Sequence, residues 1–81
     1  MERIGLLVLS DAGPGVLHQL TGVIARHNGD ITSVEIIESR PPQSRIYFEI
    51  DVEGAVEPLA AELRALPVVS ELTQVQTFQR I

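Results

Sequence analysis

The stretch LSDAGPGVLHQLTGVIARHNGDI, Leu9–Ile31, decides the fold. It leaves an apolar run, passes through Ser10-Asp11-Ala12-Gly13-Pro14-Gly15, and then places apolar residues at Val16, Leu17, Leu20, Val23 and Ile24. That three-four spacing predicts an amphipathic helix over Gly15 to Asn28. Asn28-Gly29 supplies its stop, because both residues tolerate the left-handed backbone of a helix end. Asp30 to Ser39 is rich in Ile, Val and Thr and reads as a strand. On the other side, Ile4 to Leu9 is a continuous apolar run suited to a buried central strand.

Working outward toward the C-terminus, SRPPQSR, Ser39 to Arg45, reads as a loop stiffened by two prolines. Ile46, Phe48, Ile50 and Val52 then alternate with Arg45, Tyr47, Glu49 and Asp51, a strand with one face on a core and the other wet. A second helix is predicted over Ala55 to Leu66, with Val56, Leu59, Leu63 and Leu66 on one side. Pro58 is tolerated in its first turn and Pro67 ends it. Val68 to Phe78 completes the set as a strand. The order β-α-β-β-α-β predicts an α+β, ferredoxin-like sandwich, a four-stranded antiparallel sheet with two helices on one face. Leu7, Leu9 and Ile36 or Ile37 then point to the face the helices leave open. A contiguous apolar patch there predicts self-association.

Composition narrows the function. The chain has 81 residues, 44% hydrophobic and 21% charged, which suits one ordinary globular domain. Six Lys and Arg against eleven Asp and Glu give a formal charge of −5. Such a surface repels phosphate backbones, and the few aromatics offer no platform for stacking bases, so no nucleic-acid partner is expected. Without cysteine there is neither a disulfide nor a thiolate metal site. The N-terminal MERIGLLVLSD is too short and wrongly flanked for a signal peptide, and no window approaches the length of a membrane span. No membrane association is expected, and the cytoplasm is the default location.

The turn at Gly13-Pro14-Gly15 admits two readings. Backbone N–H groups at the start of a helix point outward, toward the positive end of its dipole, and a carboxylate fits there. Alternatively, the glycines and Pro14 serve only a tight strand-to-helix connection. Asp11 and Asp30 likewise offer carboxylates for an ammonium group, or merely cap a turn and begin a strand. His18 and His27 lack the spacing of paired metal ligands and read as exposed helical residues. The serines sit in no nucleophile context, and no catalytic constellation is visible. Arg40 and Arg45 read as solvated loop residues.

Asp11, Pro14-Gly15-Val16-Leu17, the apolar ladder through Ile24 and Asn28-Gly29-Asp30-Ile31, inside a β-α-β-β-α-β order, resemble the ACT domain. This is a small regulatory module of amino-acid metabolism, and the resemblance covers essentially the whole chain. It implies a non-catalytic domain, residues 1–81, that pairs side by side or face to face. It also implies a small effector, often an amino acid, bound at the interface of a homodimer or larger homo-oligomer, with control of an attached or partner enzyme. No cofactor and no metal are implied. The ligand-binding positions carried over are Asp11, Ala12, Gly13, Pro14, Gly15 and Val16, with Asp30, Ile31 and Thr32 at the start of the second strand. In ligand-binding members the backbone at the position of Gly15 approaches the effector. Thr32 is expected on the same side as Asp30. The family commonly has an acidic residue or asparagine two places before the proline, where this chain has Ala12, with Asp11 one place earlier.

Three functional classes follow. The first is an amino-acid sensor, either an excised regulatory part of a larger protein or a free-standing domain. The second is a dimerisation module of the same fold without a ligand. The third is a small ferredoxin-like enzyme of the acylphosphatase kind, which wants an arginine in its first loop, whereas Ser10 to Gly15 carries no cation.

Overall fold

The computed structural model describes residues 2–75. Six elements succeed one another: β1 (Glu2–Asp11), α1 (Val16–Arg26), β2 (Asp30–Arg40), β3 (Gln43–Val52), α2 (Glu57–Ala65) and β4 (Val69–Val75). The strands form one antiparallel sheet in the order β2-β3-β1-β4. This is the expected ferredoxin-like βαββαβ sandwich. The part of the expected last strand beyond Val75 lies outside the described residues.

The two periodicities meet in one core. Ile4, Leu6 and Val8 of β1 and Ile46, Phe48, Ile50 and Val52 of β3 turn one face of the sheet toward the helices. Val16, Leu20, Val23 and Ile24 of α1 and Leu59, Ala60 and Leu63 of α2 cover it, with Leu72 from β4. Pro58 occupies the first turn of α2, where its missing N–H has no intrahelical partner to lose.

The end of α1 divides two tasks between neighbours. Asn28 takes the left-handed backbone at φ 60°, and its N–H donates to the Ala25 carbonyl at 2.9 Å. Gly29 is needed for space instead. A Cβ there would lie 2.7 Å from Ile24 Cγ2 and 3.1 Å from the Ile24 carbonyl oxygen. The missing side chain lets α1 descend directly onto the sheet as β2 begins.

Several details differ from the alternation in the sequence. The Ser39 to Arg45 segment is almost entirely strand: Arg40 pairs with Gln43, and only Pro41-Pro42, joined by a cis peptide, connects β2 to β3. Tyr47, expected on a wet face, is only 4% exposed. Its ring lies across Gly5 of β1, where an added Cβ would be 3.0 Å from the hydroxyl oxygen, and that hydroxyl donates to Glu49 at 2.9 Å. A glycine on the neighbouring strand opens room for an aromatic ring to cover the backbone.

Irregularities in β2 redirect the apolar surface. The register with β3 shifts between Ile31 and Ser33 and again between Ile36 and Glu38, leaving Thr32 and Ile37 as extra residues. Ile36 pairs with Ile46 and so shares the helix-side face, yet it is 55% exposed. Val34 and Ile37 are exposed with it, and so is Leu17, which the helical spacing had placed in the core. Leu7 and Leu9, on the open face, are half-buried. The large exposed aliphatics therefore gather along edge strand β2 and the adjoining flank of α1, because the helices leave the edge of the sheet uncovered.

Candidate functional site

Residues 12–15 make the connection from β1 into α1. The Asp11 N–H donates to the Val68 carbonyl at 2.8 Å and the Ala12 N–H to the Pro42 carbonyl at 2.9 Å, so the turn is tied to both neighbouring loops. Gly13 and Gly15 adopt φ of 138° and 84°, conformations that L side chains rarely take. Gly15 caps the helix without any side-chain hydrogen bond. Among the described residues, the N–H groups of Gly15, Leu17 and His18 have no backbone acceptor. They form the donor-rich, positive end of the helix dipole.

Beneath the turn lies a cavity of about 140 Å³. Asp11, Ala12, Gly13, Val16 and Leu17 line it from above, while Ile36, Ser39, Ser44 and Ile46 line it from the sheet. Its lining combines an acidic residue, two serines and a wall of aliphatic carbons.

Of the positions suggested by sequence, Asp11, Ala12, Gly13 and Val16 line this cavity, while Pro14 and Gly15 form the outer part of the turn and do not. Asp30, Ile31 and Thr32 are elsewhere. Asp11 pairs with Gln43 and Asp30 with Asp51, eight residues apart along β3 and roughly 26 Å at the rise of a strand. Ile31 is half-buried opposite Ile50. Thr32, as a bulge residue, falls outside simple alternation with Asp30, and its hydroxyl donates to the Glu49 carbonyl at 3.2 Å. Beside Asp30, the Arg3 guanidinium pairs with Asp51 at 2.8 Å and holds that carboxyl below its ordinary range. The positions suggested by sequence thus fall into two groups at opposite ends of the sheet.

The sequence pattern across residues 6–71 matches the AHAS small subunit-like ACT domain. The chain belongs to the ACT domain family. Its fold is similar to that of the ACT domain from GTP pyrophosphokinase of Chlorobium tepidum. The TM-score is 0.75 at 19% identity, over 90% of this chain and 96% of that one. It is also similar to the acetolactate synthase small subunit from Thermotoga maritima, with a TM-score of 0.79 at 21% identity, over 96% of this chain but 50% of that one. A third similarity is to E. coli aspartokinase III in complex with lysine and aspartate. There the TM-score is 0.58 at 19% identity, over 91% of this chain and 17% of that one. No curated protein matches the chain in sequence.

Two further polar clusters lie on the surface of the ACT domain. A hollow of about 210 Å³ opens on the helix-free face at the β2–β3 hairpin, lined by Leu9, Glu38, Arg40, Gln43, Ser44 and Arg45. It is larger than the cavity under the turn, and its Glu38 already engages Arg40 at 2.9 Å. At the far end of α1, His27 is half-buried rather than exposed. Its Nε2 lies 2.7 Å from Glu62 of α2, which also accepts from Arg26. Among the described residues, no group of three His, Cys, Asp or Glu side chains could hold a metal ion, and no helix is long and apolar enough to cross a membrane.

Sequence reasoning did not find Leu17, Ile36, Ser39, Ser44 or Ile46 as cavity residues. A signal existed in part. The core-facing columns of β1 and β3 are branched or aromatic until Ser10 and Ser44, the polar exceptions among the buried residues. Bringing Ser39 to the same level requires the bulge-shifted register of β2, which no alternation rule supplies.

Proposed function

We propose that this ACT domain is an amino-acid sensor whose complete site forms between two copies of the chain. The observation that carries the reading is the separation of these two groups of positions. A ligand the size of an amino acid cannot touch both Asp11 and Asp30 of one chain across roughly 26 Å. Edge strand β2 offers a way to join them. It is eleven residues long, exposed almost throughout, and free on one side. Antiparallel pairing of two β2 edges about a two-fold axis sets the Asp30 end of one beside the Arg40 end of the other. The Arg40 end is where the turn and its cavity lie, since Ser39 lines the cavity and Ala12 bonds to Pro42. The same pairing covers Leu17, Val34 and Ile36, the apolar surface that a free edge would leave in water.

In this arrangement the turn N–H groups receive the effector's carboxylate. Its ammonium group meets Asp11 and Asp30 of the second copy, and its side chain enters the cavity. Binding favours whichever pairing completes the site, by an amount set by the difference in affinity between the two states. That difference is what an attached or partner enzyme of amino-acid metabolism would read, and the complex of aspartokinase III with lysine and aspartate supports this ligand class. A dimerisation module without a ligand is the second reading, favoured by the methyl group of Ala12 on the cavity wall. Titration calorimetry of the chain with the twenty amino acids, alongside its mass in solution, separates the two. Selective heat from a dimer supports the sensor, and a dimer without heat supports the module.

A further inference from the structure

We propose that Ser39 and Ser44 form a hydroxyl floor that selects a short, hydroxyl-bearing amino acid, threonine in preference to the isosteric valine. The inference rests on the sensor reading above and specifies its ligand.

The helix-facing columns of three strands change character at one level. In β1, Ile4, Leu6 and Val8 give way to Ser10; in β3, the aliphatic column ends at Ser44; in β2, Ile36 is followed on that face by Ser39. Ser10 pairs with Ser44 and Ser44 with Ser39, so the three hydroxyl-bearing residues run in register across the sheet, directly under the turn. Ser10 is fully buried and Ser44 is 7% exposed. Hydroxyls at buried positions are costly unless they are bonded, and an apolar residue would serve simple packing better.

Their bonding leaves capacity toward the cavity. Ser10 Oγ donates to the Asp11 carbonyl at 3.0 Å, a secure bond that ties the floor to the turn. Ser44 Oγ donates to the Glu38 carbonyl at 3.4 Å, near the limit of a useful hydrogen bond, and its lone pairs remain to accept. Ser39 lines the cavity and makes no side-chain hydrogen bond among the described residues. Beside these hydroxyls on the sheet stand Ile36 and Ile46, and above them Val16 of α1. The depression, about 140 Å³, is on the scale of a short side chain. Threonine meets both walls, its methyl on the aliphatic side and its hydroxyl on the serines. Valine has the same shape but offers neither Ser39 nor Ser44 a hydrogen-bond partner, and sites built to bond a hydroxyl disfavour the analogue that lacks it.

The test is calorimetric titration of the full chain and of Ser39→Ala, Ser44→Ala and the double variant with threonine, serine, valine and alanine. The expected result is a preference for threonine over valine of about tenfold or more, falling to within about twofold in the double variant while the dimer mass is kept. Ser39 is exposed, so Ser39→Ala alone gives a folded variant with a reduced ratio even where Ser44→Ala destabilises the strand. Valine binding as tightly as threonine, or a ratio unmoved by the serine replacements, overturns the hydroxyl floor and leaves the sensor intact. Absence of binding by every amino acid overturns both.

Discussion

Three glycines of this chain do different work, and substitution distinguishes them. At Gly15 the backbone is left-handed but a Cβ would meet nothing within 4 Å, so Gly15→Ala costs only the conformational term, about 1–2 kcal/mol. At Gly29 the added methyl would press on Ile24 Cγ2 and on the Ile24 carbonyl oxygen, which cannot rotate away. Gly29→Ala is expected to cost about 1–3 kcal/mol through overpacking. Gly22, inside α1, has only the tip of Arg26 near, at 3.9 Å. Gly22→Ala therefore stabilises the chain by up to about 1 kcal/mol through helix propensity. Urea denaturation of the three variants checks the order, and Gly29→Ala matching Gly22→Ala would remove the packing argument for Gly29.

At the scale of elements, α1 and α2 are clasped at one end by Arg26 and His27 on Glu62. The Arg26 hydrogen bond first, and then that of His27, holds the Glu62 carboxyl below its ordinary value of about 4.5. A depressed carboxyl contributes stability that is fully present above the ordinary value and is lost as the pH falls through the lowered one. The melting temperature of the parent chain should accordingly exceed that of Glu62→Gln by a constant margin above pH ~4.5, and the margin should close below it. The clasp is solvent-exposed, so high salt should narrow the margin throughout. A margin independent of pH between 7 and 3 would show that the carboxylate charge is not what the helices use.

The elements themselves were legible because their periods are clean: Val16, Leu20, Val23 and Ile24 at helical spacing, and Ile46, Phe48, Ile50 and Val52 at strand spacing. What escaped depended on neighbours distant in sequence. Tyr47 is buried because Gly5 lies on the next strand, and Leu17 is exposed because the sheet ends beneath it. The bulges at Thr32 and Ile37 set which β2 residues share a face, and local alternation does not encode them. The candidate site was half legible for the same reason. The glycine turn announces itself, whereas the serine floor exists only once three strands are in register.

At the scale of the whole molecule, the proposed association and the proposed sensing share one edge. Ile36 is 55% exposed on β2, lines the cavity, and lies where a second copy would pack. Ile36→Glu is expected to leave the fold intact, since the side chain already meets water. It should also yield a monomer, because a charge on the seam is desolvated only on pairing. In the proposed arrangement, where each chain would supply half of the site, ligand binding should weaken together with dimer mass.

The most direct measurement is a thermal-shift scan of the parent chain and Ile36→Glu against the twenty amino acids, with mass determined by light scattering in the same buffers. The account predicts a dimeric parent stabilised selectively by one small amino acid, by about 2.7 kcal/mol at a hundred times its dissociation constant. It also predicts a monomeric variant that the same amino acid does not stabilise. A monomeric parent that binds the amino acid, or a dimer that responds to none of the twenty, would contradict it.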